Sequence, residues 1–118
     1  MGRTYVSQAL SRLRKSGGRF FLAISQEKVV GAVMGFLGKD KDGSFPMRFG
    51  HVTDLFVDKA FRSRGLGTLL MDRMEDYFKA LGCQAIFVDV LSFNPGARRL
   101  YLRRGYRERI VTLIRLLD

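Results

Sequence analysis

Cysteine, histidine and tryptophan are almost absent from this sequence, which has one Cys, one His and no Trp in 118 residues. An internal disulfide is therefore impossible, and Cys and His are too few to supply a typical zinc site. No long apolar run and no signal peptide is recognisable, so neither a membrane span nor export is expected. These absences predict a soluble cytoplasmic protein with no metal and no membrane partner. The single thiol, Cys83, is expected to pack inside the fold rather than to react.

Acidic residues and prolines are also scarce. The 11 Asp and Glu stand against 21 Lys and Arg, which gives a net charge of +10. This surplus favours polyanionic partners and leaves nucleic acid, anionic surfaces and nucleotide-like cofactors open. Only two prolines are present, and 47% of the residues are apolar, which is enough for one packed core but not for two. We therefore predict a single domain spanning residues 1–118.

Hydrophobic periodicity predicts alternating helices and strands. A short amphipathic helix is expected at 4–15, within an N-terminal segment 1–18 that precedes a core at 19–118. Five strands are predicted at 20–24, 29–37, 48–57, 85–91 and 110–117, and two further helices between the glycine turn and residue 81 and from Pro95 to Gly105. The strand at 85–91 is apolar enough to be an interior strand, and the charged stretch at 38–44 is typical of an exposed loop. This order predicts a mixed sheet with helices packed on it.

A glycine-rich turn follows the predicted strand at 48–57. Gly65 and Gly67 carry no side chain, so the backbone N–H groups from Arg64 to Thr68 can point at an anion, which the dipole of the following helix also favours. Arg62 and Arg64 add positive charge, and the arrangement fits a pyrophosphate. The pattern is neither a nucleoside-triphosphate loop nor a three-glycine dinucleotide turn. The alternative is that the glycines only permit a tight strand-to-helix turn.

The turn belongs to a longer pattern. Its two parts are Leu55-Phe56-Val57 with Arg62-Ser63-Arg64-Gly65-Leu66-Gly67, and Asn94, Ala97, Tyr101 and Gly105-Tyr106 downstream. In these motifs the sequence, from about Phe20 onward, resembles the GNAT family of acetyltransferases. The resemblance implies an α/β (α+β) fold with a mixed, mostly antiparallel central sheet flanked by helices. It also implies that the usual first strand is missing, because so little chain precedes Phe20.

The resemblance further implies acetyl-CoA as the cofactor, with its pantetheine arm along the strand where that strand splays from the one at 85–91. The implied cofactor-binding residues are Leu55, Phe56, Val57, Arg62, Ser63, Arg64, Gly65, Leu66, Gly67, Thr68, Asn94 and Tyr101. The implied reaction is direct attack of an amine on the thioester carbonyl, without a covalent acyl-enzyme.

Two catalytic residues are predicted from the resemblance. Tyr101 matches the family tyrosine that protonates the departing thiolate, although its ring could simply pack under the sheet. Asp54 is the best-placed carboxylate for a general base. His51, on the same predicted strand, is expected to face away from Asp54 unless a bulge intervenes.

Three further expectations concern partners and competing functions. Because the N-terminal region is short, we expect a second subunit, in a homodimer, to cover an exposed sheet edge or apolar surface. The short N-terminus also leaves open an acyl-CoA-binding protein without catalysis. A basic nucleic-acid-binding domain is the remaining alternative, although no recognised nucleic-acid motif accompanies its arginines. Those arginines are Arg98, Arg99, Arg103, Arg104, Arg107 and Arg109.

Overall fold

The computed structural model describes residues 4–10, 18–38 and 47–118. Its elements are β1 (Thr4–Leu10), β2 (Arg19–Ser25), β3 (Lys28–Gly38), β4 (Phe49–Val57), α1 (Leu66–Ala80), β5 (Ala85–Val88) and α2 (Pro95–Arg103), with a short 3-10 turn at Lys59–Phe61. The strands form one sheet in the order β1-β2-β3-β4-β5. Neighbours are antiparallel except for β4 and β5, which are parallel. The predicted mixed, mostly antiparallel sheet flanked by helices is confirmed.

Helix α1 closes the core by packing on β2, β3 and β4. The side chains of Leu70, Met71, Met74 and Phe78 are fully buried. The ring of Phe78 lies directly on Gly50, where an added Cβ would come within 2.4 Å of the ring. Any side chain at Gly50 would therefore push α1 away from the sheet.

Strand β4 contains a bulge. Met34 of β3 pairs with Asp54, whereas the next residue, Gly35, pairs with Val52, so Thr53 is an extra residue in β4. Val52 is buried before the bulge, and Leu55 packs against the core after it. The bulge therefore changes which residues of β4 face α1.

The N-terminal helix prediction is wrong. Residues Thr4–Leu10 form strand β1, and every one of them pairs with β2. Thr4, Tyr5 and Val6 are β-branched or aromatic, and the free edge of β2 offers a ladder of hydrogen bonds that outweighs the helical spacing. A strand thus precedes β2, where the resemblance implied that one was missing. The rest of the predicted helix, after residue 10, and the charged loop predicted after Gly38 lie outside the described residues.

The C-terminal strand prediction is also wrong. Residues 106–118 follow α2 without a helix or strand, and β5 ends at Val88 rather than at residue 91. In the part of the chain that the structure describes, β5 is an edge strand whose four residues are only half-buried, not the interior strand that was expected. The physical reason for the half-burial is that no described strand pairs with the outer side of β5.

Candidate active site

The N-terminal end of α1 is open to a ligand. Gly65 is the N-cap residue, in the left-handed conformation with φ 78°, and no side chain caps the helix. The first turn of α1 contains no acidic residue. The first helical hydrogen bond runs from the Leu69 N–H to the Gly65 carbonyl at 3.0 Å, so the N–H groups that precede Leu69 lie outside the helix's own bonding. This end of α1 can therefore receive an anion through backbone groups.

Two arginines are held beside this helix end. The Nε of Arg62 donates to the Val57 carbonyl at 3.1 Å. The guanidinium of Arg64 lies over the Phe61 ring, 5.1 Å from its centroid. Both residues are exposed, so each contact fixes an arginine at the turn and leaves further N–H donors facing solvent.

Strands β4 and β5 separate next to the turn. Their parallel pairing ends at Val52 and Val88, whereas β4 continues to Val57. Beyond the pairing, Leu55 and Val57 pack against the core, while Phe56 is exposed. The structure thus contains the splay between the two strands in which the resemblance places the pantetheine arm.

Tyr101 lies in the core on α2. The residue is 6% exposed, and its ring packs edge-on against Tyr106 at 5.7 Å between centroids. Burial first, and then the negative charge of Asp54, raise the pKa of Tyr101 above its ordinary value. No described residue forms a hydrogen bond with its hydroxyl. The phenol is therefore protonated at neutral pH and free to donate a proton, which are the properties of a general acid.

Asn94 has a structural task in this fold. Its side-chain oxygen accepts a hydrogen bond from the Ala97 N–H at 3.2 Å and so caps α2, with Pro95 at the first helical position. The side-chain nitrogen and the second lone pair of the side-chain oxygen are left for a cofactor contact.

Gly67 lies where the two helices meet. An added Cβ at this position would lie 3.4 Å from the Leu100 side chain, which is ordinary contact. Gly67 therefore lies at the α1–α2 contact as well as in the predicted turn.

Sequence reasoning missed a His–Asp pair. The Nε2 of His51 lies 2.9 Å from an Asp89 carboxylate oxygen, and the His51 ring stacks on Phe36 at 5.4 Å. Because Thr53 is the bulge residue, His51 and Asp54 lie on the same face of β4, the one away from α1. The sequence did contain a signal for this pair. Asp89 directly follows the strand β5, and His51, the one histidine of the sequence, lies on the neighbouring parallel strand β4.

An ionic network ties α2 to α1. Nη2 of Arg104 lies 2.6 Å from carboxylate oxygens of both Glu75 and Asp72, and the Tyr106 hydroxyl donates to Glu75 at 2.8 Å. The bond to Glu75 is the main cause that raises the pKa of Arg104, whereas burial, followed by the bond to Glu75, raises the pKa of the partly buried Tyr106. The network fixes the position of α2, and with it that of Tyr101.

Contacts of the arginines within the protein weaken the alternative of a nucleic-acid-binding domain. Arg104 is bound to two carboxylates, Arg98 is paired with Glu108, and Arg109 lies over the Phe87 ring. Half of the predicted basic cluster therefore serves contacts within the protein.

Other kinds of site find no support in the described part of the chain. It contains no group of three His, Cys, Asp or Glu side chains that could hold a metal ion. None of its helices is both long enough and apolar enough to span a membrane. Cys83 packs against the core, and burial raises the pKa of its thiol more than nearby Arg48 lowers it. An unreactive thiol is expected there.

A family model described as the acetyltransferase (GNAT) family matches residues 3–106. The chain belongs to the GNAT family. Curated relatives include an uncharacterized N-acetyltransferase of Methanocaldococcus jannaschii, 36% identical over 76% of this chain and 53% of the relative. An IAA acetyltransferase of Azospirillum brasilense is 29% identical over 85% of this chain and 61% of the relative. The alignments thus cover between about half and three fifths of the length of these two relatives.

Solved structures share the fold. A putative acetyl transferase from Pyrococcus furiosus aligns with a TM-score of 0.78 and 25% identity, over 89% of this GNAT chain and 69% of the other. An aminoglycoside N-acetyltransferase in complex with CoA aligns with a TM-score of 0.78 over 98% and 96% of the two chains. At 15% identity, the second likeness shows the fold alone.

Proposed function

We propose that this GNAT chain is an acetyl-CoA-dependent N-acetyltransferase that acts on a primary amine without a covalent acyl-enzyme. The observation that carries the proposal is the uncapped N-terminus of α1, which lies beside the splay between β4 and β5. A pyrophosphate satisfies the first feature, and an extended thiol-bearing arm fits the second. CoA contains both groups in one molecule.

Each part of the site has a proposed binding role. The backbone N–H groups from Ser63 to Thr68, together with Arg62 and Arg64, hold the pyrophosphate. The open side of β4 at Leu55, Phe56 and Val57 holds the pantetheine arm. Asn94 contributes its side-chain nitrogen, while its oxygen also caps α2.

Acetyl-CoA supplies a thioester whose carbonyl the amine nitrogen attacks, and the carbon–sulfur bond breaks. Tyr101 gives its proton to the departing sulfur, since its raised pKa keeps the phenol protonated. Asp54 accepts the proton that the amine loses. His51, oriented by Asp89, is a second candidate for this role, because it lies on the same face of β4.

We further propose that the enzyme is cytoplasmic and works as a homodimer. An acyl-CoA-binding protein without catalysis is the second candidate, because the uncapped end of α1 and the splay between β4 and β5 account for cofactor binding but not for catalysis. Both candidates bind acetyl-CoA, but only the enzyme releases CoA when an amine is present.

The test is calorimetric titration with acetyl-CoA, followed by detection of free CoA thiol with a panel of primary amines. We expect micromolar binding and amine-dependent thiol release. Tyr101→Phe should lower kcat by about 100-fold, the usual size of a general-acid contribution, with little change in affinity. Tyr106→Phe is the matched control: its hydroxyl binds Glu75 in the network that positions α2, so this variant should lose stability and lower kcat far less than Tyr101→Phe does. Binding without thiol release would favour the inactive protein, and no binding by the folded chain would refute both candidates.

The two candidate bases are separated by Asp54→Asn and His51→Gln. The residue that accepts the proton is the one whose replacement abolishes the acidic limb of the kcat/KM pH profile. The other variant should keep that limb.

A further inference from the structure

The face of the sheet opposite α1, called the outer face below, is apolar. Side chains alternate along each strand, and those that point toward α1 build the core. Six apolar side chains of the described strands point the other way, and none of them packs against the described core. Five of the six are half-buried and one is exposed. They are Phe20 and Leu22 of β2, Ala32, Met34 and Phe36 of β3, and Phe56 of β4.

The strand register arranges most of these side chains in two rows across β2, β3 and β4. In the first row, Phe20 pairs with Met34, and Met34 pairs with Asp54. Paired side chains on one face of antiparallel strands lie about 5 Å apart, so this row is a strip roughly 10 Å long with a carboxylate at one end. The second row consists of Leu22, Ala32 and Phe56.

Ala32 leaves a depression in the outer face. In the second row it lies between the larger side chains of Leu22 and Phe56, and Met34 is its neighbour along β3 on the same face. The methyl group of Ala32 is shorter than the side chains around it. An alkyl or aryl group can therefore sink between them and remove its surface from water.

Asp54 is the one polar side chain in the two rows. It is exposed, and no side chain in the described ranges forms a salt bridge with it. His51, which lies on the same face, is bound to Asp89 and stacks on Phe36. The two rows therefore offer one carboxylate for an ammonium group, with apolar side chains beside it and no partner for a second charge.

We propose that the acceptor is a primary amine on a single apolar body, which binds the outer face with its ammonium group at Asp54 and its body along Met34 and Phe20. This inference rests on the proposed N-acetyltransferase function and adds the substrate class. A second charge on the acceptor would lie on apolar side chains without a partner, which disfavours polyamines. The negative charge of Asp54 also acts on Tyr101, so the proposed ammonium site lies near the proposed general acid.

The first test compares three amines with wild-type protein: ethylamine, hexylamine and 1,6-diaminohexane. The readout is kcat/KM for release of CoA thiol. Each buried methylene corresponds to about a fourfold change, so the four extra methylenes of hexylamine should raise kcat/KM at least about 10-fold over ethylamine even when half of their surface stays exposed. The diamine has the same length, and its second ammonium should lower kcat/KM at least about 10-fold relative to hexylamine. Equal values for hexylamine and either other amine would overturn the proposal.

A charge at the far end of the strip should change this preference. Phe20→Asp places a carboxylate opposite Met34, and we expect the ratio of kcat/KM for hexylamine to that for the diamine to fall at least about 10-fold, because the apolar body loses its contact and the second ammonium gains a partner. Ile24→Asp is the matched control on the same face of β2. Ile24 pairs with Val29, outside both rows, so the ratio should stay at its wild-type value. Equal changes in the two variants would overturn the proposal.

A binding measurement separates failure of this inference from failure of the enzyme assignment, and it does not depend on whether the variants fold. Hexylamine, titrated into the wild-type protein loaded with CoA, should shift the NMR signals of the Phe20 and Met34 amides at concentrations at which ethylamine does not. These shifts without thiol release from any amine would refute the enzyme and support the amine site. Thiol release without these shifts would support the enzyme and overturn the amine site.

Discussion

The two helices of this protein begin in opposite ways. Both must deal with N–H groups that have no partner within the helix. At α2, the side chain of Asn94 accepts one of them and closes the helix end within the protein. At α1, the N-cap is Gly65, which has no side chain, and Arg62 and Arg64 stand beside it. One helix end is completed by a side chain of the fold, whereas the other has no side-chain cap.

The largest effect is expected when the open end is closed. Gly65→Asp introduces a carboxylate that can cap α1 itself and that repels phosphate, and Asp is one of the few residues that tolerates the left-handed conformation. We expect the dissociation constant of acetyl-CoA to rise at least 100-fold, or about 3 kcal/mol, in calorimetric titration.

Gly96→Asp is the control at the other helix. It places the same charge in the first turn of α2, at an exposed glycine whose added Cβ would lie 4.0 Å from Asn94. The affinity of this variant for acetyl-CoA should stay within about threefold of wild type, which corresponds to about 0.6 kcal/mol. Equal losses in both variants would show that charge alone, and not the open end of α1, determines binding.

A smaller effect is expected when the closed end is opened. Asn94→Ala removes the cap of α2 and should lower the free energy of unfolding by about 1 kcal/mol in urea titration. The affinity for acetyl-CoA should change little. Asn94→Asp keeps a capping oxygen and should keep the stability. If Asn94→Ala instead weakens binding tenfold at unchanged stability, Asn94 is a ligand contact, as the resemblance implied.

The smallest effect, on the free energy of unfolding, is expected at the residues that precede each helix. Ser63 precedes α1 with φ 63°, a conformation that costs a residue other than glycine about 1 kcal/mol. Ser63→Gly removes this cost but adds freedom to the unfolded chain, so a net gain of about 0.5 kcal/mol is expected. Ser92, which precedes α2, is not among the residues with positive φ. Ser92→Gly should therefore destabilise slightly, and a gain in both variants would contradict the strain at Ser63.

The local structure around the candidate site, at the starts of α1 and α2, could be predicted because its signals are local. Glycine in the turn, the Asn94-Pro95 pair and Gly105, whose φ is 95°, each determine the conformation at their own position. No distant residue is needed to interpret them. The glycine turn, both helices and the cap of α2 were therefore predicted close to where they occur.

The remaining features depend on residues that are distant in sequence. Strand β1 exists because β2 offers an edge, which helical spacing within residues 4–15 cannot reveal. The strand predicted at 110–117 has the right composition, but the described chain provides no neighbouring strand for it. The His51–Asp89 pair depends on the alignment of β4 with β5, and its position relative to Asp54 depends on the bulge at Thr53. Strand pairing and bulges are determined by tertiary structure and not by local sequence.

The bulge at Thr53 reverses which residues of β4 face the core. Before it, the residues that face the core have even numbers, Gly50 and Val52; after it they have odd numbers, Leu55 and Val57. The half of β4 under α1 and the half beside the splay can therefore be altered independently. Deletion of Thr53 would force one half out of phase, exposing Gly50 and Val52 or turning Asp54 and Phe56 inward. The bulge thus divides one strand into two halves of opposite phase, both of which contribute to the core, while Asp54 and Phe56 of the second half face outward.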